Sequence, residues 1–168
     1  MNKILPGLYI GDMCSSSHRI LLKQNRITHI LTLHNCTQEN IHEFEYLKIC
    51  CHDKPSADIT QHLTKCFDFI HSARMQGGRV LINSVYGVSR SVTIATMYLK
   101  TITRKPWVDV LGAISRRRRF ANPNFGFRKQ LDQFEIFRAE DERRKLIKKF
   151  GISDAFGDTS LIEGIIRI

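Results

Sequence analysis

Long apolar runs are missing from this 168-residue chain, and none approaches the roughly 20 residues that a membrane-spanning helix requires. Metal-type spacing is missing as well: Cys14, Cys36, Cys50, Cys51 and Cys66 form no C-x-x-C pair and no His/Cys cluster of the kind that holds zinc. Five is also an odd number for a disulfide framework, so reduced thiols lying mostly in the core are expected, with no metal and no cofactor. The first residues, Met-Asn-Lys-Ile-Leu-Pro, lack the charged-then-apolar pattern of a secretory signal. The second residue is Asn2 rather than the glycine that myristoylation requires. A soluble intracellular protein is expected, cytoplasmic with the nucleus as a further setting. Negative charge is scarce: 16 acidic residues face 26 Lys and Arg, for a formal net charge of +10. Such a balance favours acidic partners, whether phosphoproteins, nucleic acid or an anionic membrane surface. Part of the basic excess is concentrated in Arg116–Arg119 and around 143–149, so the whole-chain value overstates the field at any one site.

What is present describes one folded domain of ordinary composition, 42% hydrophobic and 25% charged. Leu8–Ile10 reads as a short strand, Gly11-Asp12 as a turn, and Ser15–Ser17 as caps for a helix carrying Ile20, Leu21 and Gln24. Strands follow at Ile27–Leu33 and Phe44–Cys51, the second stopped by the loop His52–Ser56 with its Pro55. Ile59, Leu63, Cys66, Phe67 and Ile70 recur at helical spacing up to Gly77-Gly78, which leads into a strand over Arg79–Ile82. Beyond Arg90, the residues Val92, Ala95, Thr96 and Leu99 define one buried helical face. Another helix follows Pro106, taken as its first residue, with the single Trp107 as a packing anchor. After Asn122-Pro123-Asn124 a long helix runs on through Phe127, Leu131, Phe134 and Phe137. Alternation of strands and helices predicts an α/β fold with a central, mostly parallel sheet flanked by helices. A domain over 1–148 is expected, followed by a C-terminal tail over 149–168, in which Gly151–Thr159 reads as a mobile extension and the apolar end Leu161-Ile162 and Ile165-Ile166 docks on the domain or on a partner. In such sheets ligands sit beyond the carboxyl ends of strands, where Asp53 and Ser84 both fall.

Residues Asn83–Ser91 read Asn-Ser-Val-Tyr-Gly-Val-Ser-Arg-Ser, between an apolar strand and a helix. A loop in that position turns successive backbone N–H groups of Ser84, Val85, Tyr86, Gly87, Val88 and Ser89 towards an anion, and the helix N-terminus adds its positive end. Gly87 permits the tight path, Arg90 can fork onto two phosphate oxygens, and Ser91 can cap the helix. Tyr86 either faces the rim of this cradle or packs beneath the loop. Singly these features are ordinary; in this order after a buried strand they are specific.

The segment resembles the His-Cys-x-x-Gly-x-x-Arg-Ser/Thr signature of the cysteine-based protein tyrosine phosphatases, with Asn83 at the His position and Ser84 at the position of the nucleophilic Cys. Ile4–Gly11, Ile27–Leu31, Gly87–Val92 and Ala121–Asn124 with Gly126-Phe127 extend the likeness over roughly residues 1 to 138. Together they resemble the small atypical dual-specificity phosphatases, nearest the compact single-domain group associated with Jun-kinase signalling. The resemblance implies a protein tyrosine phosphatase-like fold with a mixed sheet, and a shallow site for phosphotyrosine, phosphothreonine or phosphoserine. It implies phosphorylated protein partners, MAP kinase pathway members among them, and no metal. It also implies a general-acid role at Asp53, a hydroxyl at Ser91 assisting the nucleophile, and support of the loop by Asn122 or Asn124; Asp58, close by, competes for the acid position but reads by its place as the cap of the helix beginning near Ile59.

A thiolate is available near neutral pH because a helix N-terminus and cationic neighbours lower a cysteine pKa to roughly 3.5–7.5. A serine hydroxyl has no such route, needs an adjacent base, and Asn83 cannot take a proton. A phosphatase-like protein that binds or shields phosphoproteins without turning them over is therefore expected. Three alternatives stand beside it: an active enzyme carrying a Cys-to-Ser substrate trap, a thiol relocated to Cys51, and a scaffold using Arg116–Arg119 to bind acidic partners. Nucleic acid is not the expected ligand, because four consecutive arginines cannot share one helix face and a solvated rim is the simpler use for them.

Overall fold

The computed structural model describes residues 1–35, 41–151 and 154–167, so Cys36 lies outside the described residues. Five strands form one sheet: β1 (Asn2–Leu5), β2 (Leu8–Gly11), β3 (His29–Leu33), β4 (Glu45–Ile49) and β5 (Val80–Ser84). Their spatial order is β1-β2-β5-β3-β4. The β1–β2 hairpin is antiparallel, turning at Pro6-Gly7 where Gly7 has φ +74, and every other pairing is parallel. The wholly buried β5, Val-Leu-Ile-Asn-Ser, occupies the centre, as a run with no exposed face must.

Period-two alternation divides the core between the two faces of the sheet. Tyr9, Ile30 and Leu81 point to the smaller side, where Leu22 and Ile27 complete a cluster. Their neighbours Leu8, Ile10, Leu31, Val80 and Ile82 join the larger core on the other side. The smaller side is covered by α1 (Met13–Ser17) and α2 (Arg19–Gln24). The larger carries α3 (Leu63–Met75), α4 (Arg90–Thr103), α5 (Trp107–Arg117), α6 (Phe125–Phe137), α7 (Ala139–Phe150) and α8 (Asp158–Arg167).

Several local expectations need correction. The helix carrying Ile20, Leu21 and Gln24 is capped by His18, which accepts from Leu21 N, and not by Ser15–Ser17, which lie inside α1, itself capped by Asp12. Pro106 is the cap preceding α5, with extended ψ 140, and Trp107 is the first helical residue. The helix expected after Asn124 does run through Phe127, Leu131, Phe134 and Phe137, ending at Phe137, which is largely exposed, and α7 follows after Arg138. Burial of α4 extends beyond the expected stripe: Lys100 alone among its residues is not buried, because neighbouring helices and the sheet enclose it.

Of the two docking sites expected for the apolar end of the tail, the domain is the one used: Asp158–Arg167 form a helix whose Ile162 and Ile165 lie within the main core, while α7 runs through residue 148 to Phe150. Arg74 of α3 fixes α8 through paired hydrogen bonds to Asp158 at 2.6 and 2.9 Å, with Phe156 stacked 4.0 Å from the guanidinium. No helix among the described residues is long and apolar enough to cross a membrane.

Candidate functional site

Four successive carbonyls at the carboxyl end of β5 are all taken by donors from the surrounding scaffold. Val85 O accepts from Met13 N at 3.1 Å, Tyr86 O from Arg118 Nη2 at 3.1 Å, Gly87 O from Arg118 Nε at 2.7 Å, and Val88 O from Asn122 N at 2.8 Å. Within a planar trans peptide the C=O and the following N–H point in opposite directions. Scaffold donors on the carbonyls therefore turn the N–H groups of Tyr86, Gly87, Val88 and Ser89 the other way, into the concave side of the loop. The N-terminus of α4 begins at the next residue. Gly87 has φ +62, and a Cβ there would meet Gly11 O at 2.3 Å, so the bend demands glycine twice over.

Ser84, the last residue of β5, is buried, and its Oγ lies 3.0 Å from Ser91 Oγ. Asn83 is wholly buried and committed at both ends of its amide: Oδ1 accepts from Thr32 Oγ1 at 2.8 Å and Nδ2 donates to Ser16 Oγ at 3.0 Å. Thus β3, β5 and α1 are joined by a neutral polar chain. Ser91 does not cap α4; its hydroxyl faces Ser84 from inside the helix.

The loop after β4 brings Asp53 to the other end of the cradle. Its Oδ1 accepts from Ser89 Oγ at 2.7 Å and from Asn124 Nδ2 at 2.8 Å, while Oδ2 lies 3.5 Å from Arg90 Nε. Arg90, nearly fully buried, donates through Nη1 to Cys51 O at 2.9 Å, and its Nε is a buried donor without a hydrogen-bond partner among the described residues. Ser89 Oγ also accepts from Asn124 N at 3.1 Å, and Asn124 Oδ1 caps α6 at Phe127 N. Asn124 therefore ties the Asp53 loop, the phosphate-type loop and α6 together. Asn122 supports the loop through its backbone N–H instead, its side chain accepting from Arg128. Asp58 stands apart: its Oδ1 accepts from Thr60 N at 2.8 Å and Thr60 Oγ1 at 2.7 Å, while the cap position of the short 3-10 turn Thr60–His62 is Ile59.

Other expectations resolve by burial. Tyr86 is 75% exposed and so does not pack beneath its loop. Cys51 is buried, and that burial pushes its thiol pKa up, opposite to what a nucleophile needs. Cys66 is buried likewise, whereas Cys14 and Cys50 are exposed, so half of the described thiols lie outside the core. Arg118 departs from the expected solvated arginine rim: it is buried under the loop, while Arg116, Arg117 and Arg119 are exposed. Sequence reasoning also missed the structural demand at Gly126, where a Cβ would fall 1.9 Å from Pro55 O, so the start of α6 presses on the Asp53 loop. Only the positions before and after Asn-Pro-Asn signalled either residue. Among the described residues no group of three or more His, Cys, Asp or Glu side chains is placed to hold a metal ion.

Residues 8–137 match the family described as "Dual specificity phosphatase, catalytic domain". Mouse dual specificity protein phosphatase 15 is 41% identical over 151 residues, covering 90% of this chain and 64% of the mouse protein, so the chain spans less than two thirds of that relative. Human dual specificity protein phosphatase 22 is 39% identical over 153 residues, covering 91% of this chain and 83% of the human protein. The crystal structure of DUSP15 superimposes with a TM-score of 0.86 at 42% identity, covering 89% of this chain and 96% of that one. Human tyrosine phosphatase-like serine/threonine/tyrosine-interacting protein superimposes with a TM-score of 0.76 at 29% identity over 81% of this chain and 95% of the other. By sequence and by architecture, the chain belongs to the dual specificity phosphatase family.

Proposed function

We propose that this member of the family is a phosphatase-like binding protein, which holds phosphotyrosine, phosphoserine or phosphothreonine side chains of other proteins in the 84–90 loop without hydrolysing them. One observation carries the proposal: at the nucleophile position the buried Ser84 hydroxyl is paired with the Ser91 hydroxyl rather than with a base. Asn83 beside it is neutral and held between Thr32 and Ser16. A phosphoryl transfer to Ser84 would require its proton to leave as the bond forms, and neither neighbour accepts it. Asp53 in the acid role must deliver a proton to the departing hydroxyl, so it does not serve as base in the same step.

Binding requires none of these transfers. Inward N–H groups, the helix terminus and the Arg90 guanidinium stabilise a dianion whether or not a thiolate lies beneath it. The buried Arg90 Nε, 3.5 Å from Asp53 Oδ2, makes no hydrogen bond among the described residues, and an anion oxygen would supply one. In this scheme Ser91 positions Ser84, and Ser89, Asn122 and Asn124 hold loop and acid loop in register. A structural relative carrying "phosphatase-like" and "interacting" in its name accords with such a use of the fold. Phosphorylated members of MAP kinase pathways, met in the cytoplasm or nucleus, are the partner class this implies.

The test is paired. Phosphopeptide affinity and phosphate release are measured on the chain as it stands and on Arg90→Ala. Affinity that falls at least about tenfold in the variant, with no release in either, is expected from losing a charge-assisted contact. Release at rates ordinary for the family would overturn the proposal.

A further inference from the structure

Arg118 is a cation buried where no anion pairs with it. Only 6% exposed, it donates Nε to Gly87 O at 2.7 Å, Nη2 to Tyr86 O at 3.1 Å, and Nη1 to Asn2 Oδ1 at 2.6 Å. All three acceptors are neutral, and no carboxylate forms a salt bridge with it among the described residues. A buried charge without a counter-ion is unfavourable by several kcal/mol in general, so such arrangements persist where something else compensates. The direction of its shift agrees: burial, the largest cause, lowers the Arg118 pKa, opposed by Asp12 at longer range.

The two loop carbonyls it grips belong to the peptide units whose N–H groups are those of Gly87 and Val88. Both face the concave side of the loop. A positive charge on the carbonyl oxygen polarises the whole unit and makes the opposite N–H a stronger donor, as hydrogen bonds in series do. Space confirms how closely the side chain backs the loop: a Cβ at Gly87 would meet Arg118 Nη2 at 2.5 Å.

We propose that Arg118 is a positioning residue for anion binding, a second cation of the phosphate site that acts through the Tyr86–Gly87 and Gly87–Val88 peptide units from behind the loop. It never touches the ligand. The anion in the cradle supplies the counter-charge that the fold withholds, and the loop geometry depends on the guanidinium bridging two successive carbonyls. This inference rests on the phosphate-binding proposal above.

Titration calorimetry with a phosphotyrosyl peptide and with tungstate, on the unaltered chain, Arg90→Ala, Arg118→Lys and Arg118→Gln, tests it alongside thermal unfolding with and without tungstate. Affinity for both probes is expected to fall about tenfold in Arg118→Gln, from the loss of a charged donor pair. Arg118→Lys is expected to fall in between, keeping the charge and losing one carbonyl. A purely structural role would lower the melting temperature without ligand and leave the tungstate-induced rise unchanged; the proposal expects the tungstate-induced rise itself to shrink. Loss of binding in Arg90→Ala together with full affinity in Arg118→Gln would overturn the role of Arg118 alone. Should Arg118→Gln fail to fold, equal affinity of Arg118→Lys and the unaltered chain would overturn it. Binding indifferent to Arg90→Ala would overturn the cradle and this proposal with it.

Discussion

Asn83 and Ser84 decide between binding and turnover through their own hydrogen bonds. Placing a thiol at 84 supplies a group that the helix terminus and Arg90 can ionise, but a histidine at 83 would also have to displace the bonds to Thr32 and Ser16. Ser84→Cys alone is expected to raise phosphate release from a phosphopeptide at least about tenfold, because thiolate formation needs no added base. Combination with Asn83→His is expected to alter that rate further while lowering stability by about 1–3 kcal/mol, since the Thr32 and Ser16 hydroxyls lose a fitted partner. Steady-state phosphate release and urea unfolding measure the two effects, and full family-like activity from Ser84→Cys alone would favour a recently silenced or deliberately altered enzyme. The thiols present offer no substitute nucleophile: burial holds Cys66 up at about 12 and raises Cys51. Iodoacetamide followed by peptide mass mapping is expected to label Cys14 and Cys50 in the folded protein and to spare Cys51 and Cys66.

Among the elements, the start of α6 is the bracket that sets one loop against the other. Asn124 donates to Asp53 and Ser89 and caps its own helix, while Gly126 lets that helix approach the backbone of Pro55. Gly126→Ala is expected to cost about 1–3 kcal/mol in urea unfolding and to shift amide resonances of residues 53–57, because the added methyl must displace backbone. The strand–loop–helix at β5 and α4 was legible in the sequence because a buried apolar strand and a glycine-bearing turn leave local signatures. Gly126 and Arg118 were not, since their roles come from chain segments distant in sequence that arrive at van der Waals range only after folding. One cap was misjudged for a related reason: three serines precede Ile20 and Leu21 and suit a cap locally, yet they form a short helix of their own and His18 caps α2.

At the level of the whole molecule, the last helix belongs to the body that carries the site. Its apolar pattern at Leu161, Ile162, Ile165 and Ile166 was visible, but the docking surface, assembled from several helices and β1, was not. Arg74 and Asp158 seal that contact in a buried pair. Asp158→Ala is expected to cost about 3–5 kcal/mol in chemical unfolding, because it strands a buried guanidinium without its partner. The central claim concerns the cradle itself, a site that retains phosphate and lacks the means to release it. Phosphorus NMR of a phosphotyrosyl peptide mixed with an equal amount of protein tests this in one sample. A shifted, broadened peptide signal that persists for hours with no inorganic phosphate is the predicted result; steady growth of the inorganic phosphate signal at the peptide's expense would contradict it.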